Sequence, residues 1–346
     1  MTAAKLGLAV IGTGMAATPH ARALQDLADT IEVRGVYSRT REKREAFAAE
    51  FGFPAADSID ALADDPAVDA LLLITPPNQR LDLIRRFAEA GKHILMEKPV
   101  ERTTEAAGEI VRICEENGVR VGIVFQHRYR QASRKLKALI DDGALGEIGL
   151  VRVDIPWWRE QSYYDEPGRG TYERDGGGVL ISQAIHTLDL MLSLTGPVAV
   201  VQAVAATTRF HKMESEDFVA GGMRFASGVP GSVTATTASY PGDAESITLD
   251  CEKASAHLQS GVLTIRWRDG RSETFGETGG TGGGADPMAF PHGWHRDLIA
   301  AFADAVRAGR DPVPSGRDAL DVHRLIDALI ASSRERRAIE IPSSTA

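Results

Sequence analysis

Lys98 is the first residue whose setting suggests chemistry. It stands in Glu97-Lys98-Pro99, directly after His93-Ile94-Leu95-Met96, an apolar run that reads as a short buried strand. Proline steers the residue before it towards extended backbone, so the lysine is expected to project from the strand end and not to enter a following helix. The alternative is a solvated lysine at a turn, which is the usual place for one. A second stretch is Gly12-Thr13-Gly14-Met15-Ala16-Ala17, a G-x-G-x-x-A pattern between a strand and a helix. Its glycines permit a tight turn and let a pyrophosphate approach the helix N-terminus, so dinucleotide binding is expected there. NAD-preferring versions carry an acidic residue at the end of the second strand, on the ribose hydroxyls. Here that place reads Tyr37-Ser38-Arg39-Thr40-Arg41, with Lys43 and Arg44 beyond. Serine and arginine suit a 2′-phosphate, which slightly favours NADP over NAD. Alternatively these cations, alternating with Glu42 and Glu45, are the exposed face of a helix.

Such groups need a scaffold, and the rest of the chain describes one. At 346 residues it exceeds what one core usually organises, so two domains are expected. Strand signals at residues 6–11, 31–37, 67–74, 93–96 and 119–125 alternate with helix signals at 42–50, 79–90 and 104–117. This rhythm predicts a doubly wound parallel sheet ending near residue 127, with Thr104 as a helix cap and Gly91 and Gly118 just past helix ends. After a helix at 133–141 the pattern changes. Runs at 148–158, 198–208, 217–225, 229–239, 245–250 and 262–267, with Gly and Pro between them, predict a mainly antiparallel sheet. Helices are expected at 179–194, 296–308 and 317–335, with Pro312 and Pro314 marking the break between the last two. The glycine-rich 276–284 follows no compact strand-to-helix turn and reads as a surface loop.

Composition excludes several classes. A net charge of -9 offers no basic face for nucleic acid or anionic lipid, so an anionic substrate has to be held by local cations. Cys114 and Cys251 are the only cysteines and lie far apart, which suggests neither disulfides nor a metal site. The first apolar run stops at Gly12, too short for a signal segment or a membrane span, and a cytoplasmic location is expected.

Thr75-Pro76-Pro77-Asn78, then Gly91-Lys92-His93, Glu97-Lys98-Pro99 and Phe125-Gln126-His127-Arg128-Tyr129, resemble the glucose-fructose oxidoreductase/inositol dehydrogenase (Gfo/Idh/MocA) family. Gly176-Gly177-Gly178-Val179-Leu180-Ile181-Ser182-Gln183-Ala184-Ile185-His186 looks like that family's glycine-led helix, which carries an Asp or Asn four residues before a catalytic histidine. Here Ser182 occupies the earlier position. The resemblance implies a Rossmann domain over 1–127, an α+β substrate-binding and oligomerisation domain over 128–346, and an NAD(P)-dependent oxidoreductase acting on CH-OH groups. It implies Lys98 and His186 as the catalytic pair. Gly12, Thr13, Gly14, Met15, Ala16, Ser38, Arg39, Lys43, Thr75, Pro76, Asn78, Glu97, Lys98 and Gln126 are the cofactor candidates. Removing hydride from H-C-OH requires the hydroxyl proton to leave as well, which imidazole can accept near neutral pH, while an ammonium stabilises the developing alkoxide. Arg80, where many members have histidine, is expected to serve the helix or a phosphate.

Trp157-Trp158-Arg159-Glu160-Gln161-Ser162-Tyr163-Tyr164, with Arg169 beyond, looks like a branch of the family acting on nucleotide-linked sugar acids. Arg128, Arg159, Tyr163, Tyr164, Arg169, Ser182 and Gln183 therefore join Lys98 and His186 as substrate candidates, and the two tryptophans are equally suited to an interface. The substrate is expected to be a sugar, sugar acid, cyclitol or nucleotide sugar, with no metal, and the chain to form a homodimer or homotetramer. Two other readings stay open: a nicotinamide tightly held and recycled within one active site, and a catalytically silent sensor of cofactor or sugar.

Overall fold

Successive parallel strands need a crossover to return in the same direction, which is why apolar runs separated by amphipathic helices build the first sheet. In the computed structural model, which describes residues 4–277 and 291–342, β1 (Leu6–Ile11) is buried at every position. It is followed by α1 (Ala17–Asp26), β2 (Ile31–Tyr37), α2 (Arg41–Phe51), α3 (Ile59–Asp64), β3 (Ala70–Leu73), α4 (Leu81–Glu89), β4 (His93–Glu97), α5 (Thr104–Glu116) and β5 (Val121–Val124). The strands are parallel in the order β2-β1-β3-β4-β5. Strand order therefore reverses between β1 and β3, and the carboxyl ends at such a point are where doubly wound sheets bind ligands. Register does the rest. Ile11 pairs with Leu73 and Leu73 with Met96, so Gly12, Ile74 and Glu97 stand at one level at the carboxyl ends of the strands.

Two local differences from the sequence reading have physical reasons. Thr103, not Thr104, caps α5, because its backbone is extended and its Oγ1 accepts the Ala106 N–H at 3.2 Å, whereas Thr104 is already helical. The helix expected from residue 79 begins instead as a 3₁₀ turn, Pro77–Gln79, which Arg80 joins to α4.

Of the described residues, those up to Gln126 and those of Pro291–Ala319 form one compact unit, and the others form a second. In the second unit come α6 (Gln131–Asp141), β6 (Ile148–Pro156), α7 (Gln161–Tyr164), a π-helical turn over Leu180–Ala184, α8 (Ile185–Thr195), β7 (Val198–Ala206), β8 (Phe218–Phe225), β9 (Pro230–Thr236), β10 (Ser246–Cys251), β11 (Ala254–Gln259), β12 (Val262–Trp267) and β13 (Ser272–Gly276). After them lie α9 (Gly293–Arg307), α10 (Gly316–Glu335) and β14 (Ile339–Glu340). The second sheet runs β13-β12-β11-β10-β6-β9-β8-β7-β14, antiparallel except between β6 and β9. β11 and β13 were not expected. Ala254-Ser255-Ala256-His257 lacks β-branched residues, yet its burial alternates as a half-buried strand requires. α8 packs on α6, β6 and β10, while α9 packs on α1 and β5. Gly276 of the glycine-rich stretch ends β13, and residues 278–284 lie outside the described residues.

Candidate active site

The turn after β1 is shaped by glycine. Gly12 has φ +111°, and a Cβ there would meet the Ile74 carbonyl at 2.9 Å, whereas a Cβ on Gly14 would meet nothing within 4 Å. The N-terminus of α1 has no side-chain cap and no acidic residue in its first turn. An open, uncompensated helix end beside a bare glycine fits a pyrophosphate. Thr13 is half-buried in this turn, Met15 is 64% exposed, and Ala16 leads into the helix. Thr75 Oγ1 and Gln126 Oε1 are buried with no hydrogen-bond partner among the described residues, which leaves two polar atoms for a cofactor to satisfy. Pro76 and Asn78 are exposed on the turn after β3. At the end of β2, the Ser38 hydroxyl donates to the Thr40 carbonyl at 3.2 Å, and Arg39 and Lys43 are exposed. Arg44 is buried instead, its guanidinium 5.2 Å over the Tyr37 ring.

Lys98 follows the last residue of β4, and the polar groups around it hold its main chain. The Glu97 carboxylate accepts from His20 Nε2 at 2.7 Å through Oε1 and from the Lys98 N–H at 3.2 Å through Oε2. His20 comes from the buried face of α1, and the ring of His295, from α9, meets it edge-on at 4.7 Å. Burial would raise the pKa of Glu97, but the His20 hydrogen bond and nearby positive charge outweigh it and hold the carboxyl at about 2. Burial, reinforced by His20, drives His295 down to about 3 against the pull of Glu97. His295 is thus neutral at neutral pH, which leaves the His20 bond and Lys98 to act on Glu97. The three side chains bring ligand atoms within 4.8 Å of one another. Two ligands of one tetrahedral zinc ion would stand roughly 3.3 Å apart, given bond lengths of about 2.0–2.1 Å. The 2.7 Å between His20 and Glu97 suits a shared proton better.

His186 is placed by a different device. Its helix enters through Gly178, where a Cβ would stand 1.8 Å from the Glu216 carbonyl oxygen. That carbonyl accepts the Val179 N–H at 2.9 Å, and the Glu216 carboxylate accepts the Leu180 N–H at 3.2 Å. Burial raises the pKa of that carboxyl against these main-chain bonds. The π-helical turn follows, a feature frequent at functional sites. Ser182 is half-buried on it, its N–H bonded to the Gly178 carbonyl at 3.0 Å. The His186 ring stacks on His127 with centroids 4.9 Å apart and planes 27° from parallel. His127 Nε2 accepts from Arg130 Nη2 at 2.6 Å, and Arg130 Nη1 donates to Glu245 at 2.6 Å and to the Ser260 carbonyl at 2.9 Å. Arg128 donates through Nε and Nη2 to fully buried Asp189 at 2.7 and 2.6 Å, so this candidate for substrate contact is engaged within the fold.

The aromatic and cationic candidates gather around one ring. The Arg169 guanidinium lies 4.6 Å and that of Arg159 5.7 Å from the Tyr163 centroid, with Arg159 also 5.4 Å over Trp157. The Tyr163 hydroxyl accepts from Arg169 Nη1 at 3.3 Å and from Gln183 Nε2 at 3.4 Å, which links this cluster to the π-helical turn. Arg169 also pairs with Glu166 at 2.6 Å. Arg159 is buried, which lowers its pKa, and its carbonyl accepts from His211 Nε2 at 2.8 Å while His211 Nδ1 bonds Asp217 at 2.7 Å. Tyr164 is turned into the core, its hydroxyl bonded to Thr237 at 2.6 Å and its pKa raised by burial.

Residues 6–125 match the model of an oxidoreductase family with an NAD-binding Rossmann fold, Gfo/Idh/MocA, and residues 133–257 match that family's C-terminal domain. The chain belongs to the Gfo/Idh/MocA family. Inositol 2-dehydrogenase of Rhizobium meliloti (strain 1021) is 26% identical to it over 347 residues, covering 96% of this chain and 98% of the relative. The scyllo-inositol 2-dehydrogenase (NADP(+)) IolW of Bacillus subtilis (strain 168) is 24% identical over 95% of this chain and 94% of its own. Among solved structures, the WlbA dehydrogenase of Bordetella pertussis, crystallised with NADH and UDP-GlcNAcA, superposes with a TM-score of 0.83 at 28% identity, covering 99% of this chain and 100% of that one. Levoglucosan dehydrogenase, at 22% identity and a TM-score of 0.87 over 98% of this chain and all of its own, shares the fold.

As a member of Gfo/Idh/MocA, the chain is an NAD-binding oxidoreductase, and among the described residues no helix is long and apolar enough to cross a membrane. Sequence reasoning missed His20, His295, His127, Arg130 and Glu245, the groups behind the two proposed catalytic residues. A signal existed for His20, which lies in register with Ala17, Ala21 and Leu24 on the buried face of α1. Nothing local links Arg130 to Glu245 across more than a hundred residues. The Arg80 guanidinium donates to main-chain carbonyls, among them that of Thr75.

Proposed function

We propose that the chain transfers a hydride between the nicotinamide of NAD(P) and a carbinol or ketone carbon of a sugar, sugar acid, cyclitol or nucleotide sugar. Held by the turn after β1, the cofactor would supply the nicotinamide as hydride acceptor or donor. In the direction of oxidation, His186 takes the hydroxyl proton and the Lys98 ammonium stabilises the alkoxide as it forms. The observation that carries this reading is that the main chain beside Lys98 and the His127 ring stacked on His186 are each fixed by buried polar groups, which gives both side chains a definite starting place. Gly12, Gly14 and the open end of α1 hold the pyrophosphate. Ser38, Arg39 and Lys43, with no carboxylate at the end of β2, favour NADP; the NADP(+) enzyme IolW supports that choice and the NADH-bound WlbA opposes it. Arg159 and Arg169 hold an anionic substituent of the substrate, a reading supported by the sugar acid in the WlbA crystal. The chain works as a homodimer or homotetramer assembled through the second sheet, where Val204 on β7 is 63% exposed.

The test incubates the protein with NAD or NADP and a panel of sugars, sugar acids, inositols and nucleotide sugars, following reduced cofactor. Turnover with one class and tighter binding of NADP are expected. No reduction by any compound, with cofactor still bound after dilution, would replace this reading with recycling inside one site.

A further inference from the structure

We propose that Arg80 is a positioning residue for Lys98: its buried guanidinium fixes the main-chain carbonyls on either side of the lysine and ties them to the turn after β3. The proposal rests on the reading of Lys98 as the group that stabilises the alkoxide. Arg80 is 2% exposed and stands between the 3₁₀ turn and α4. Its Nε and Nη2 donate to the Thr75 carbonyl at 2.9 and 2.6 Å. Its Nη1 donates to the carbonyls of Glu97 and Pro99, with that of Val100 at 3.5 Å. Burial lowers its pKa to about 10, Glu97 and Glu101 offset part of that, and the group stays charged at neutral pH.

Burying a cation is costly, and it persists only where its donors are met. A helix cap would use neighbouring carbonyls. Arg80 reaches two other segments, and the carbonyls it takes on the second are those immediately before and after Lys98. The Glu97 carboxylate meanwhile accepts the Lys98 N–H, so the root of the lysine is gripped on both sides. A four-carbon side chain can deliver its charge reproducibly only if its root is fixed, since a misplacement of about 1 Å costs about a hundredfold in rate. The same guanidinium ties the root to Thr75, a cofactor candidate, and so sets lysine and cofactor turn in one frame. Only a planar fork can hold both segments; a lysine could not.

The test acetylates the full chain with acetic anhydride and reads each lysine by mass spectrometry, in the unmodified protein and in Arg80→Lys. That variant keeps the charge and removes the fork, so a change reports geometry. Lys98 should acetylate about threefold faster or more, while Lys92, whose Nζ bonds the Asp65 carbonyl at 2.9 Å, keeps its rate. An unchanged rate at Lys98 overturns the proposal. A parallel rise at Lys92 does so too, because it marks general loosening. If Arg80→Lys does not fold, Arg80→Gln takes its place in the comparison, and failure of both to fold overturns the proposal as well, since it makes Arg80 a residue of the core. The readout needs no turnover. A fully active Lys98→Met would therefore sink the proposed function and leave the placement of Lys98 by Arg80 to be judged separately.

Discussion

Around Lys98 the buried polar groups grip the main chain, whereas around His186 they support a ring. Arg80 and Glu97 bind the carbonyls and the N–H that flank the lysine, so these bonds fix its main chain. His186 lies face to face with His127, which Arg130 and Glu245 hold from behind. The difference follows from side-chain length. Imidazole is two bonds from the backbone and can be aimed by packing, while an ammonium on a flexible stem can only be rooted. On the His186 side, the residue one turn earlier is the uncharged Ser182, and Asp189 is committed to Arg128.

The comparison breaks most visibly at the buried ion pairs. Glu245→Gln leaves Arg130 without its countercharge and should cost about 3–5 kcal/mol, read from urea unfolding. Glu97→Gln should cost less, about 1–3 kcal/mol, because Arg80 still holds the same segment; equal costs would contradict the distinction. Acid should weaken the lysine side. His295 sits near 3 in the folded protein against an ordinary 6.5, so below 6.5 the unfolded chain takes the proton first and stability falls as pH drops towards 3. Glu97, folded near 2 against 4.5, adds a further loss as pH falls from 4.5 towards 2. His295→Phe should flatten the decline above about pH 4.5 in a melting-temperature series, and an unchanged curve would show that His295 does not matter.

Smaller effects sharpen the picture at groups neither network holds. Arg39→Asp should shift the ratio of NADP to NAD affinity by about tenfold or more towards NAD; a titration with NAD already the tighter ligand of the unmodified protein would remove the argument. Ser182→Asp should raise the pKa of the base in the pH dependence of turnover by about one unit or less, because a nearby negative charge favours imidazolium. No shift would mean that the π-helical turn directs position 182 away from the ring.

What could be read from the sequence divides along the same line. The parallel sheet, the glycine turn and the place of Lys98 just past a strand end were legible because each is encoded by neighbouring residues: an apolar run, a pair of glycines, a proline after a lysine. β11 was not, since Ala254-Ser255-Ala256 gains its strand from partners on β10 and β12 and not from its own propensity. The supports behind the two proposed catalytic residues were also hidden. His20 reaches Glu97 over 77 positions and Arg130 reaches Glu245 over 115, distances that only the folded register closes. Arg80 was noticed as a departure, but a single sequence does not show which distant carbonyls its donors reach.

The central claim is that Lys98 and His186 carry the chemistry, and single-turnover hydride transfer with the substrate class found in the panel tests it most directly. Lys98→Met and His186→Ala should each slow transfer by roughly a hundredfold or more, with NAD(P) binding nearly unchanged. Near-normal transfer in both variants would contradict the account and return Lys98 to a lysine at a turn.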